Sequence, residues 1–167
     1  QVFCMRWDFY DTFADNDVRK KAILCEYDAN DGSHKDRNSG MVGAIPIKFT
    51  DTQFANYGIQ KAQPVIRYAE VLLSYAEAEN ELNGPTTSAV DAVKLITDRA
   101  GVTIPASATS TKEAFRTYLL EERGRELFCE GQRRQDLIRH GVYISRARAR
   151  GNNAQDYQVL FPIPQVD

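Results

Sequence analysis

The chain has 167 residues, 43 % hydrophobic and 26 % charged, a balance that excludes a disordered segment and allows one domain with a real core. Its formal net charge of -2 supplies no global field toward nucleic acid or anionic lipid. No apolar run approaches the roughly 18 residues that span a bilayer. No signal peptide is recognisable, and the chain opens on Gln1 rather than Met, so the true N-terminus is expected elsewhere.

Residues 1–62 are rich in Asp, Asn, Gly and Ser, with short apolar pieces such as AIPIKF at 44–49. They read as loops with a few short strands. A segment this long without regular structure is expected to pack on something else. Within it, RWDFYDTF at 6–13 holds the only Trp and three further aromatics. One reading is that Phe9 and Phe13 anchor the segment onto the helices that follow. The other is ligand contact. Aromatic faces beside Asp and Arg suit sugar rings, because axial C–H groups stack on the ring while hydroxyls bond the polar groups. On that reading the ligand-binding candidates are Trp7, Phe9 and Tyr10.

DANDGS at 28–33 has the look of a calcium loop, but its Gly falls one place early and position twelve is Ser39, so a plain turn is expected. The two histidines, His34 and His140, are far apart and lack metal-ligand spacing, which argues against a metal site or a Ser-His-Asp triad. Cys4, Cys25 and Cys129 form no C-x-x-C pair, and no structural zinc is expected. Pairing of Cys4 with Cys25 is left open. Cys129 is expected to pack as a small apolar residue of its helix.

From Pro64 the period changes. PVIRYAEVLLSYAEAENELNG puts Val65, Ala69, Leu72, Leu73, Ala76 and Asn80 on one helical stripe. Tyr68, Val71, Tyr75, Ala78 and Leu82 form a second, as in a helix covered on more than one side. Pro64 suits the first turn and Asn83-Gly84-Pro85 the stop. A second helix is predicted from a capping box at Ser88–Asp91 to Gly101, burying Ala89, Val93, Ile96 and Ala100. The two would form an antiparallel hairpin of tetratricopeptide type, which cannot bury both its faces alone. Missing neighbours, or the next helix and the loop region, are expected to cover it. A third helix is predicted from the capping box Ser110–Glu113 to about Cys129, and a short one from Gln132 to His140. The tail YQVLFPIPQVD is expected to be extended.

The stretch LLEERGRELFCEGQRRQDLIRHG at 119–141 packs five Arg, four Glu and one Asp into one helical region. Glu121–Arg125, Glu130–Arg134, Glu122–Arg125 and Asp136–Arg139 have helix-neighbour spacing for ion pairs. Leu120, Gly124, Leu127, Phe128 and Gly131 form a packing stripe whose glycines would admit another backbone. Buried arginines here would tie the helix to the hairpin. Glu122 and Glu126 have the spacing of a glycosidase pair, but so many arginines would keep both ionised, whereas a general acid needs a raised pKa. No catalytic residue is therefore assigned. Residues 133–150 hold six Arg and one acid, but with little aromatic interleaving they read as a solvated or partner-facing surface rather than a nucleic-acid site.

VIRYAEVLLSYAEAENELNG, AVKLITDRAGV, EERGRELFCEGQRRQDLIRHG and LFPIP, in that order, resemble the C-terminal half of the SusD/RagB family of outer-membrane nutrient-binding lipoproteins. The resemblance covers about residues 64–164, and DFYDTFADNDVRK resembles the segment upstream. Three positions depart from the pattern. Gly124 stands where Arg is usual, Arg134-Gln135 replaces an aromatic-rich pair, and His140 replaces a common Trp. The resemblance implies a mainly α fold, with a tetratricopeptide-like hairpin plus packing helices behind a loop-rich N-terminal part. Residues 1–63 would be the ligand-facing region and 64–167 the helical scaffold, both within a fragment of a longer chain. It implies a non-enzymatic protein without cofactor that captures oligosaccharide at the cell surface and passes it to a SusC-like TonB-dependent transporter. Contact with the outer membrane would be only through a lipid anchor absent from this chain, and nucleic acid is not an expected partner. A RagB-like peptide receptor and an intracellular tetratricopeptide adaptor are the alternatives.

Overall fold

A computed structural model describes residues 4–48 and 64–163. Phe49 of the AIPIKF stretch and Pro164 of LFPIP lie outside the described residues. The chain is mainly α, as its periodicities predict. Six α-helices are present among the described residues: α1 (Trp7–Tyr10), α2 (Tyr68–Asn83), α3 (Thr87–Ala100), α4 (Lys112–Glu126), α5 (Arg133–Arg139) and α6 (Tyr143–Ala149).

α2 and α3 form the expected antiparallel hairpin, and α4 packs across α2. Their shared core holds Leu73, Ala76, Ala89, Val93, Ile96, Phe115, Leu119 and Leu127. Small residues dominate the hairpin seam, which lets the helix axes approach, while Phe115 and Leu119 of α4 fill the remaining space. Gly84, with φ of 82°, ends α2, and left-handed Gly101 caps α3.

The starts differ from the sequence reading by a few residues. α2 begins at Tyr68, not near Pro64, and Val65 lies before it and exposed. Arg67 is extended and sends its guanidinium to the far end of α4, so the helix starts only after that residue. The caps are Thr86 and Thr111, whose hydroxyls accept from the Ala89 and Ala114 amides at 3.3 and 3.1 Å. Ser110 instead donates to the Ser107 carbonyl at 2.7 Å. Each hydroxyl three residues before an orphan amide wins the capping position.

The second stripe of α2 is not covered among the described residues: Tyr68, Val71, Tyr75 and Leu82 are 69 %, 51 %, 48 % and 79 % exposed. α3 and α4 both pack on the opposite face, the one carrying Leu73, Ala76 and Asn80.

The N-terminal segment is irregular, as expected, and is stitched by very short strands. β1 (Ile23–Leu24) pairs antiparallel with β4 (Ile45–Pro46), and β2 (Tyr27–Asp28) with β3 (His34–Lys35). A bridge joins Met5 to Ala44. Gly43 is required there, because a Cβ would lie 2.3 Å from the Met5 carbonyl oxygen. Met5, Phe13, Ile23, Ala44 and Phe128 make a second core, with Trp7, Phe9 and Tyr10 packed against it. The DANDGS stretch is the β2–β3 turn, in which Asp31 accepts from the Ser33 amide and hydroxyl. At the other end, Arg146 and Arg148 ride on α6 and Arg150 caps it; the sequence does not signal this helix. The tail makes a single 3-10 turn at Asp156–Val159 before it runs extended.

Replacing Phe115 by Ala is expected to cost about 3–5 kcal/mol, whereas Leu82→Ala on the uncovered stripe should stay within about 0.5 kcal/mol. Chemical denaturation of the two variants measures both, and equal losses would contradict the assignment of the core.

Candidate functional site

The charged stretch folds inward. Glu122, Glu126 and Asp136 are 0 %, 2 % and 3 % exposed. A buried carboxylate needs several charge-assisted donors to replace its hydration, and arginines from distant parts of the chain supply them. Glu126 accepts from Arg67 and Arg99 at 2.6 Å each and from Arg19 at 3.1 Å. Glu122 accepts from Arg19 at 2.7 Å and from Arg125 at 2.8 Å. Arg19 is itself clasped by buried Asp17. Glu130 accepts from Arg67 and Lys48. Arg123 donates to Asp136 at 2.9 Å and to Ser74 at 3.2 Å, and Arg139 and His140 converge on Glu77 of α2.

Two of the four predicted helix-neighbour pairs form, Glu122–Arg125 and Asp136–Arg139. The other two do not. Glu121 turns to Arg133 and Arg146, and Glu130 to Arg67 and Lys48. Arg134 leaves for the Gln158 and Val159 carbonyls and the faces of Tyr143 and Phe161. Longer reach wins because a tertiary pair here is part-buried, while a neighbour pair on an open helix face is worth a few tenths of a kcal/mol. Gly124 does not admit a backbone. A Cβ there would sit 2.8 Å from the Arg133 guanidinium, which donates to the Leu120 carbonyl at 2.6 Å and to Glu121 at 2.9 Å. Cys129 lies beyond the helix end, exposed and at φ 63°, rather than packed in the helix. Cys4 and Cys25 are unpaired.

Glu126, Leu127 and Phe128 mark the junction of the fold. Leu127 enters the helical core and Phe128 the N-terminal core, while Glu126 gathers arginines from both sides. On this platform stands α1. Its Trp7 and Tyr10 rings meet edge to face at 5.7 Å, as do Phe9 and Phe13, and Phe13 meets Phe128 at 6.1 Å. Phe13 is buried, and Trp7, Phe9 and Tyr10 are half-buried. The Trp7 indole donates to the Met41 carbonyl at 3.2 Å. Arg37 lies over its ring at 5.0 Å and is held there by Asp11. Lys20 lies over Tyr10 and Arg133 over Phe9.

Thus the three candidates are brought together on one short helix, each with a cation nearby. Of them, Phe9 lines a cavity of about 370 Å³ between the N-terminal segment and the start of α5, together with Phe128, Leu137, Arg6, Arg133 and Arg150. A second concave surface, about 640 Å³, lies under the tail with Tyr143, Tyr157, Phe161 and Arg134. Those residues belong to three separate short segments with no common period, so no linear pattern marks the surface.

Electrostatics follow from this packing. Burial alone would raise the Glu121 and Glu130 pKa values, but the guanidinium and ammonium donors outweigh it and both lie below their usual 4.5. Tyr118 is pushed up to about 12 by burial and then by the Glu122 charge.

The SusD family profile, SusD_RagB, matches residues 5–166. Over 109 residues the chain is 36 % identical to SusD-like protein P25 of Formosa agariphila, covering 60 % of this chain and 20 % of that protein. It is 29 % identical over 112 residues to the starch-binding protein SusD of Bacteroides thetaiotaomicron, covering 62 % and 19 %. The chain therefore spans about a fifth of the length of these curated relatives. The fold superposes on B. fragilis NanU with a TM-score of 0.64 at 24 % identity, covering 97 % of this chain and 36 % of that one.

Glu126→Gln keeps the shape but leaves three guanidiniums under-neutralised, and a loss of about 3–5 kcal/mol is expected. The same change at exposed Glu81, paired with Arg116, should cost at most about 1 kcal/mol. Denaturation curves of the two variants provide the check, and a Glu126→Gln protein as stable as the parent would contradict the clasp. The depressed Glu121 and Glu130 pKa values also fix a pH dependence. The unfolded chain takes up protons near 4.5 that the folded chain refuses, so their contribution is intact above that pH. It is lost as pH falls through the lower folded-state values. An unfolding midpoint that is level from pH 7 to 5 and drops below 4.5 is expected; a midpoint that rises on acidification would contradict the sign.

Proposed function

The chain belongs to the SusD family, and from that premise we propose that it captures glycans at the bacterial cell surface. In this reading residues 64–167 are the scaffold and residues 1–63 the ligand-facing region of a longer protein. The protein sits at the outer membrane, held by a lipid anchor carried elsewhere in that longer protein, and passes bound oligosaccharide to a SusC-like TonB-dependent transporter. No helix among the described residues is long and apolar enough to cross a membrane.

The observation that carries the reading is α1. Three half-buried aromatics, Trp7, Phe9 and Tyr10, stand on one turn with Asp and Arg groups beside them, next to a concave surface. Such rings offer flat faces for sugar C–H groups, and the flanking charged groups bond hydroxyls. One relative is a starch-binding protein, in keeping with that chemistry. Glu122 and Glu126 are fully enclosed by arginines, so neither is presented to a glycosidic bond, and the reading is binding without turnover. The apolar floor of the 370 Å³ cavity also suits a peptide side chain, which keeps a RagB-like peptide receptor as the second reading.

An array of neutral and charged oligosaccharides and of peptides, followed by calorimetry, tests this. Saturable glycan binding without product formation is expected, and Trp7→Ala should weaken it about tenfold, the roughly 1.4 kcal/mol of one lost aromatic contact. A folded protein that binds peptides and no glycan would overturn the glycan reading, and so would glycan binding indifferent to Trp7→Ala, Phe9→Ala and Tyr10→Phe alike.

A further inference from the structure

The cavity beside α1 has an unusual charge balance. Among the described residues its lining includes Arg6, Arg133 and Arg150 and no Asp or Glu. The carboxylates nearest these cations are shared. Asp8 serves Arg6 at 3.1 Å and Arg150 at 3.5 Å. Glu121 serves both Arg133, at 2.9 Å, and Arg146. Four guanidiniums are thus set against two carboxylates, in a chain whose net charge is -2. Nothing about the chain as a whole requires that surplus; it is local.

The cations differ in how far they are satisfied. Arg133 is fixed, donating to the Leu120 carbonyl and to Glu121. Burial, reinforced by the Arg146 charge, nevertheless pulls its pKa below the usual arginine value, the sign of a charge that its surroundings under-compensate. Arg6 makes one hydrogen bond, from Nε to Asp8, among the described residues. Among the described residues the Arg150 side chain meets one carboxylate, Asp8, at 3.5 Å. Both therefore hold out unused guanidinium donors at the rim, in the planar arrangement that suits a carboxylate. Beneath them the floor is apolar, made by Phe9, Phe128 and Leu137.

We propose that this cavity binds a ligand that carries a carboxylate on an apolar or C–H-rich body, with the carboxylate at the Arg6–Arg150 rim and the body on Phe9 and Phe128. The chemistry is met by a uronic-acid unit of a glycan and by the free carboxyl end of a peptide. The inference rests on the reading of α1 as the ligand-facing element and adds to it a selectivity for acidic ligands.

Calorimetry with two matched pairs of probes tests it: phenyl β-D-glucuronide against phenyl β-D-glucoside, and N-acetylphenylalanine against its amide. Within each pair only the carboxylate changes. At least one acid is expected to bind tenfold or more tightly than its neutral partner, with the preference shrinking as salt rises. Arg6 and Arg150 are exposed or half-exposed, so Arg6→Gln/Arg150→Gln should fold normally and lose the preference for the acid over its neutral partner. Equal binding of acid and neutral partners in both pairs, no binding of any probe, or a preference that survives the double variant would each overturn the inference. The outcomes separate it from the glycan reading. Neutral oligosaccharide binding that depends on Trp7, with no preference for acids, sinks this inference and leaves that reading. Preference for N-acetylphenylalanine with no saccharide bound sinks that reading and leaves the cavity.

Discussion

A single buried carboxylate, Glu126, governs how this chain is put together. At 2 % exposure it has given up its water, and only guanidinium donors at short range repay that loss. Those donors come from three places: Arg19 in the N-terminal segment, Arg67 at the entry to α2, and Arg99 at the end of α3. Because the carboxylate has few acceptor positions, all three segments must arrive in one arrangement. Hydrophobic contact then consolidates it on either side, through Leu127 in one core and Phe128 in the other. An apolar plug of similar volume would bury as much surface, but it would not select which segments meet.

That constraint has a functional consequence. Residues 4–48 have too little regular structure to hold their own shape, with paired strands only two residues long. Their order is borrowed from α4 and the residues that directly follow it. Arg19 to Glu122 and Glu126, Lys48 to Glu130, and Phe13 on Phe128 fix the platform from which α1 presents its aromatics. On the proposed reading, a recognition surface built this way is held by its ties to the helices, which lowers the ordering cost of binding. The arginines that remain underused, at the cavity rim, are those left outside the clasp.

Much of the scaffold was legible in the sequence. The 3.6-residue period of 68–83 and 87–100, the Gly84 break and the Gly101 cap each report a local backbone preference, and such preferences survive folding. The partners of the charged residues were not legible. Spacing pointed Glu121 to Arg125 and Glu130 to Arg134, but burial favours the pairs that exclude water, and those lie 12 to 82 positions apart. The outer stripe of α2 looked like buried surface because periodicity registers apolarity and not what faces it. The candidate site was legible only as composition. The aromatic cluster at 6–13 stood out, whereas its neighbours Phe128, Arg133 and Arg150 come from elements more than a hundred residues away. Nothing in a linear reading joins them to Phe9.

Native-state hydrogen exchange on Arg19→Ala tests the central claim most directly. Glu122 and Glu126 keep Arg125, Arg67 and Arg99 in that variant, so the helical unit retains its own ties. Loss of protection confined to the amides of residues 5–47, with α2 and α3 exchanging as in the parent protein, is the predicted result. Unchanged protection in that segment, or a uniform loss across the helices, would contradict the claim that the clasp on α4 orders the irregular part of the chain.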